Sequence, residues 1–415
     1  MWVWRAGEGR RLALSFCYFA SLLASYYLIR PVRDALAASS GPSTIKYLSS
    51  VVFVVMWVIV PLFGVLMTRI KRTVLLPATQ GFFVVNLLCF AATFQFFAET
   101  PWVGRVFYVW TTVFNLLVVS LFWSFMADIW HEAQGRRLFG VIAAGGSLGG
   151  IIGPLAARTL TPSMGISGIT ALAALSLSLS MVITVLLARD RRVIDAGQAS
   201  GGLRLNEPLG GEILAGVSLL VRSPFLLGIA VLVVFGAMLG MVVYIELAKS
   251  AVRLFATTAL RTEFFATRDL WVNIASCLIQ AVVVGFLATR VGVRTTLVFA
   301  VAVVFAGFVS VAWLPTAGVL LWVNSAFRTT EFGIGKPARD MLWTVVDTES
   351  KYKVKSVIDT VVYRGADVFG GWAHAAFGAL GMSLGMMASA CAAITLALGI
   401  VAFKVGTRYR QLSGA

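Results

Sequence analysis

The sequence predicts an all-α integral membrane protein: twelve transmembrane helices in two six-helix bundles. Three observations predict it. The chain is 59% hydrophobic and only 13% charged, with a mean hydropathy of +0.89, outside the range of soluble globular domains. It contains twelve apolar runs near the roughly 20 residues that a helix needs to cross a bilayer. Its two halves also echo each other at matched positions.

The twelve runs are 11–36, 45–68, 73–98, 102–127, 137–160, 166–188, 223–247, 264–288, 295–314, 317–335, 354–380 and 382–403. Helix is the state expected of each, because an open strand leaves its backbone polar groups unsatisfied in lipid. The first run continues into Arg30-Pro31-Val32-Arg33-Asp34 without a cleavage signal and reads as a retained helix. The longest polar connection, Arg189 to Arg222, is rich in glycine and serine. It divides the chain into an N-terminal bundle (1–190), a cytoplasmic linker (191–222) and a C-terminal bundle (223–415).

The formal charge of +16 has the distribution of a membrane topology, not of a nucleic-acid-binding surface. With a cytoplasmic N-terminus, the cytoplasmic loops and both tails hold most of the cations, among them Arg10, Arg11, Arg136, Arg137, Arg191, Arg192, Lys336, Arg339, Lys404 and Arg408. The opposite loops and their edges hold only Lys46, Arg105, Arg158, Lys249, Arg253, Arg261 and Arg268. Such asymmetry places both termini in the cytoplasm. Cys17, Cys89, Cys277 and Cys391 fall in four different runs, without paired spacing, and read as packing residues.

Helix 2 ends in Gly64-Val-Leu-Met-Thr-Arg69-Ile-Lys-Arg72, and helix 8 in Gly285-Phe-Leu-Ala-Thr-Arg290-Val-Gly-Val-Arg294. The paired motif resembles the loop signature of the major facilitator superfamily, Gly-x-Leu-Ala-Asp-Arg-x-Gly-Arg-Arg. Thr68 and Thr289 replace the family's Asp. The resemblance implies the major facilitator fold, built from repeated six-helix units, with these glycines and arginines as loop-motif gating residues. A second echo aligns the entries to helices 5 and 11, each followed by a glycine at the same offset, Gly149 and Gly365. Gly145, Gly146, Gly149, Gly150 and Gly153 give helix 5 a small-residue face for close helix packing.

Charged residues within apolar spans are the candidate functional residues, because a charge at mid-bilayer depth costs at least ~2.5–3.5 kcal/mol on insertion scales. Arg328 and Glu331 of helix 10 lie a turn apart. Arg364 and Asp367 of helix 11 share a face near mid-depth. Asn115 of helix 4 is a further polar candidate; Asn273 and Gln280 of helix 8 are weaker ones. Arg30, Arg33 and Asp34 close helix 1, and Asp34 stands four residues after Arg30, a spacing that allows a local pair. Glu246 and Lys249 occupy the corresponding place on helix 7. Snorkelling interfacial caps explain these two end clusters about as well as function does. Asp359 and Asp367 are candidates for proton coupling, and His374 reads as a lone structural histidine.

The stretch Tyr26-Tyr27-Leu-Ile-Arg30-Pro-Val-Arg33-Asp34 resembles the first-helix signature of the ATP/ADP-translocase-like branch of carriers. Lys336-Pro-Ala-Arg339-Asp340 and Ile358-Asp359-Thr-Val-Val-Tyr-Arg364-Gly-Ala-Asp367 are similar to sequences of its bacterial relatives. The resemblance implies a nucleotide exchanger of the bacterial inner membrane, with Arg30 and Arg33 facing phosphate. No Walker motif, metal-ligand cluster or nucleophile–base arrangement is present, so the expectation is a carrier without enzyme activity, cofactor or metal. It would be a monomer in the lipid bilayer. It would work by alternating access on a small, anionic substrate through Arg30, Arg33, Asn115, Glu246, Lys249, Arg328, Glu331, Arg364 and Asp367. A proton-coupled exporter of another small molecule and a non-transporting scaffold are the alternatives.

Overall fold

The computed structural model describes residues 8–70, 72–97, 100–130, 132–189, 218–281, 291–346, 354–355 and 357–413. Gly285 and Arg290, most of the 191–222 linker, and the side chains of Arg69, Arg72 and Asp359 lie outside the described set.

The described residues form twelve helices. The first four are α1 (Gly9–Ser39), α2 (Ile45–Arg69), α3 (Arg72–Phe97) and α4 (Pro101–Ile129). The long run Glu132–Ala188 is broken at Gly165 (φ 63°) into α5 (132–164) and α6 (166–188), a left-handed backbone conformation that glycine adopts without a Cβ penalty. Then come α7 (Pro224–Leu254), α8 (Thr258–Ile279) and α9 (Val293–Trp313). The helix α10 begins at Ala317 and α11 covers Ile358–Ala379, while α12 is Leu384–Ser413. By length and composition, eight helices among the described residues can cross a membrane, one of them the 52-residue run that Gly165 folds in two.

The chain clusters into two compact units. Unit 1 contains residues 1–40, 56–208 and 255–270; unit 2 contains 41–55, 209–254 and 271–415. Both α2 and α8 are therefore divided between units.

In unit 1 the glycine face of α5 lies on α1. A Cβ on Gly149 would stand 2.2 Å from the Ala20 carbonyl oxygen, and one on Gly145 would stand 2.4 Å from that of Phe16. Only glycine allows this approach, which gives α1 the van der Waals contact that holds helices together in lipid. Tyr18 and Phe19 of α1 also pack their rings on Phe122 of α4, at centroid distances of 4.9 and 4.1 Å. Polar side chains bridge helices: Ser25 donates to the Ala173 carbonyl (2.8 Å), and Gln80 donates to Tyr18 Oη (3.2 Å) and Ser180 Oγ (3.1 Å).

In unit 2, α7 packs on α11 and α9 on α12. A Cβ on Gly370 of α11 would lie 2.7 Å from the Met238 carbonyl oxygen of α7. The Thr316 hydroxyl caps α10 by accepting from the Val319 amide (3.3 Å). The α-turns of α10 end at Thr330, pass through a wider π-type turn at Glu331–Gly335 and resume at Lys336–Leu342. Pro337 supplies the cause: it has no N–H for the carbonyl four residues back, and its ring crowds that carbonyl. A similar wide turn, Ile358–Val362, precedes the α-helical part of α11, Tyr363–Ala379.

Candidate substrate site

Three charge clusters are built from the charged residues that stand out in the sequence, together with partners that the sequence does not mark. The first lies in unit 2, on α10 and α11. The Arg328 guanidinium stands 5.7 Å from the Phe332 ring centroid, and that of Arg364 stands 5.8 Å from the Tyr363 ring. Arg364 Nη1 is 3.5 Å from Asp367 Oδ2, and these side chains remain 27% and 21% exposed. The pair is loose and accessible. Tyr363 lies within electrostatic reach of Arg328, Glu331, Arg364 and Asp367, so these mid-helix charges share one region of unit 2.

Glu331 pairs elsewhere. It takes a two-pronged ion pair from Arg339, whose Nη1 donates to Oε2 at 3.0 Å while Nη2 contacts Oε1. The two residues are eight apart and meet beside Gly335, where a Cβ would stand 3.1 Å from Glu331 Oε2. Thr330, Glu331, Gly335, Arg339 and Thr395 line a small cavity of about 60 Å³. The charge asymmetry of the sequence puts Arg339 in a cytoplasmic loop; the structure puts it against Glu331. The signal that could have placed it is Pro337, because a proline-induced turn redirects the side chains after it. Arg328, Arg339 and Arg364 against Glu331 and Asp367 leave this cluster with one formal positive charge in excess.

The second cluster, in unit 1, joins α1 to the first part of α8. Asp34 accepts from Arg33 Nη2 (2.6 Å) and from Arg268 Nη2 (2.7 Å). Arg268 also donates to Asp269 Oδ1 (2.8 Å), and Arg30 Nε lies 3.5 Å from Asp269 Oδ2. Arg30, Asp34, Arg268 and Asp269 are all buried. The local pair expected between Arg30 and Asp34 is replaced: Arg30 takes Asp269, and Asp34 takes Arg33 and Arg268. Aromatic faces complete the cradle, with Tyr108 beneath Arg33 (5.2 Å), Tyr27 beneath Arg30 (5.5 Å) and Phe265 beneath Arg268 (5.0 Å). Again three arginines meet two carboxylates. Arg30 Nε, Arg268 Nη1 and Asp269 Oδ2 have no hydrogen-bond partner, an expensive state for buried polar atoms. Arg268 and Asp269 do not stand out in the sequence because Arg268 reads as a loop-edge charge, and its partner lies 234 positions away.

The third cluster is in unit 2. Lys249 Nζ donates to Glu246 Oε1 at 2.6 Å, as the i,i+3 spacing suggests, and His374 Nε2 lies 2.6 Å from the same oxygen. Lys249 Nζ is also 3.2 Å from His374 Nε2. His374 is therefore not alone. Glu246, Lys249, Ser250 and Arg253 line a cavity of about 350 Å³.

The remaining candidate residues stand apart from these clusters. Asn115 is half-buried in α4, and Gly64 is half-buried near the end of α2. Arg294 lays its guanidinium 4.9 Å from the Phe403 ring of α12. Asn273 and Gln280 lie in and just after α8, and Gln280 donates to the Phe332 carbonyl at 3.0 Å.

The family model described as Major Facilitator Superfamily matches residues 14–338. The chain belongs to the major facilitator superfamily. Solved structures with the same fold include a bacterial homologue of the iron transporter ferroportin in an inward-facing state (TM-score 0.64, 12% identity, covering 96% of this chain and 98% of that one). They also include the POT family transporter PepTSo (TM-score 0.62, 11% identity, 97% and 98%) and the nucleoside transporter NupG (TM-score 0.56, 12% identity, 97% and 98%). At such identities the likeness is one of fold. No curated protein sequence matches the chain. As a member of the superfamily, the chain is a multi-pass membrane transporter of small molecules.

Proposed function

We propose that this transporter is a secondary carrier that moves an organic anion, such as a nucleotide or phosphorylated metabolite, by exchange across the bacterial inner membrane. The observation that carries this reading is the accessible Arg328–Arg364–Asp367 group around Tyr363. Guanidinium groups hold phosphate and carboxylate in two-pronged bonds, and a low-dielectric surrounding strengthens them. The loose Arg364–Asp367 pair keeps the arginine compensated while the site is empty and can yield it to an incoming anion. The carrier works as a monomer with both termini in the cytoplasm.

Arg30 and Arg33 belong to the same pathway by their resemblance to nucleotide carriers, each now held by a carboxylate that a phosphate can replace. The rocking bodies are the sequence halves 1–190 and 223–415. The pairs Arg30–Asp269 and Arg268–Asp34 each join α1 of the first half to α8 of the second, within unit 1, so movement of one half against the other has to break them. An arriving anion that takes Arg30 from Asp269 weakens that tie, which favours movement with substrate bound and therefore exchange.

The test is a thermal-shift screen of the purified protein against nucleotides, organic phosphates and carboxylates. Stabilisation by at least one anion, lost in Arg328→Ala and Arg364→Ala, supports the reading. No response to any anion, with unchanged behaviour in both variants, removes it.

A second reading, proton coupling, is favoured by the Glu246–His374–Lys249 contact. Uptake driven by an imposed pH gradient and abolished in Glu246→Gln would support it; exchange indifferent to the gradient would not.

A further inference from the structure

At the other end of α7 from Glu246, a cavity of about 790 Å³ lies between the start of α7 and the C-terminal part of α12. Arg222, Lys404 and Arg408 line it, with Phe225, Val345 and Val405 among its apolar walls. Lys404 and Arg408 are one turn apart on α12 and share a face. Arg408 Nη1 donates to Gln411 at 3.1 Å. No aspartate or glutamate occurs among the described residues 218–230, 343–346 and 400–413 that surround it. The cavity is therefore suited to an anion.

Apolar side chains flank the same helix ends: Val221 is 66% exposed, Phe403 51% and Leu412 47%. Phe403 closes the apolar run 382–403, so this flank lies at the edge of the lipid layer. A free phosphate would use the cations and leave this apolar flank unused, whereas a phospholipid uses both. We infer that this cavity holds the head group of an anionic phospholipid, with its acyl chains along the exposed flank of α7 and α12. Cations placed only to orient the protein would snorkel into water from separate positions; here three line one cavity. Basic pockets between transmembrane helices are known to take such head groups.

The inference does not depend on the transported substrate, and its test avoids the residues of the candidate substrate site. Full-length protein is placed in bilayers of phosphatidylcholine with and without phosphatidylglycerol, and bound lipid is read by native mass spectrometry beside thermal stability. The wild type is expected to retain phosphatidylglycerol and to gain stability from it. Each cation near the surface strengthens such binding roughly fivefold, so Arg222→Gln with Lys404→Gln and Arg408→Gln should weaken it about a hundredfold. The charge-preserving Arg222→Lys with Arg408→Lys should retain it, and Arg158→Gln, an exposed arginine of α5, should leave it unchanged. If the triple variant does not fold, Lys404→Glu alone gives the same reading in a milder form. Equal phosphatidylglycerol dependence in wild type and charge-removed variants would overturn the inference. So would equal protection by inorganic phosphate or glycerol phosphate, which would make the cavity a free-anion site.

Discussion

Asp34→Asn is the most informative single change in the buried cluster of α1 and α8. Asp34 is buried and neutralises two guanidiniums, bonding Arg33 at 2.6 Å and Arg268 at 2.7 Å. Two unit charges about 4 Å apart attract by roughly 4 kcal/mol at an effective dielectric of 20. Asp34 makes two such contacts, so the gross gain is about 8 kcal/mol, against a desolvation penalty of several kcal/mol for each ion. Removing one member of such a buried set typically costs about 3–5 kcal/mol. Asparagine keeps an acceptor but no charge, which places the loss near 3 kcal/mol. For a unit of about 200 residues that loss lowers Tm by roughly 6–12 °C. The excess positive charge of the cluster rises from one to two.

The assay is thermal unfolding of the detergent-solubilised protein, followed by the fluorescence of its 12 tryptophans. Arg268→Gln and the double variant complete a cycle. Removing Arg268 takes away the cation that Asp34 was holding, so the double variant should be less destabilised than the sum of the single ones by at least ~1.5 kcal/mol. Additivity within about 0.5 kcal/mol would show that the two side chains do not interact and would refute the description of the cluster.

Other outcomes are expected from the packing and from the candidate site. Gly149→Ala places a methyl group 2.2 Å from the Ala20 carbonyl oxygen and should destabilise by ~1–3 kcal/mol or more; Gly140→Ala, where no atom lies within 4 Å, should be neutral or stabilise by up to ~1 kcal/mol, both measured by Tm. Glu331→Gln leaves the half-buried Arg339 against a neutral amide and should cost roughly 1.5–3 kcal/mol, while the Arg339→Gln/Glu331→Gln pair should recover part of that loss. Arg364→Lys keeps the charge but loses the planar fork, so it should weaken anion stabilisation roughly tenfold or more and leave the unliganded Tm within about 2 °C.

The helices were legible because they leave local marks: an apolar run of the right length, a glycine row on α5. The close-packing face follows from spacing, since small residues every fourth position give one flat face; that it meets α1 does not. The mid-helix charges Arg328, Arg364 and Asp367 were legible for the same reason, as charges where apolar residues are expected. Partner choice was not legible. Asp34 has an arginine four residues before it and still bonds Arg268, because pairing inside a fold is set by tertiary approach and leaves no periodic trace. His374 meets Glu246 from another helix, which no sequence spacing signals. Glu331 turns to Arg339 because the wide turn at 331–335 rotates the residues after it, a consequence of Pro337 that helical-wheel reasoning does not include.

If the cations around Tyr363 bind the transported anion, transport must depend on them. Counterflow into proteoliposomes tests it most directly, using the labelled form of whichever anion gives the largest thermal shift and the unlabelled form inside. Uptake above that of empty vesicles is expected, accelerated by internal anion, lost in Arg328→Ala and Arg364→Ala, and retained in Arg158→Gln. Undiminished counterflow in Arg328→Ala and Arg364→Ala would contradict it.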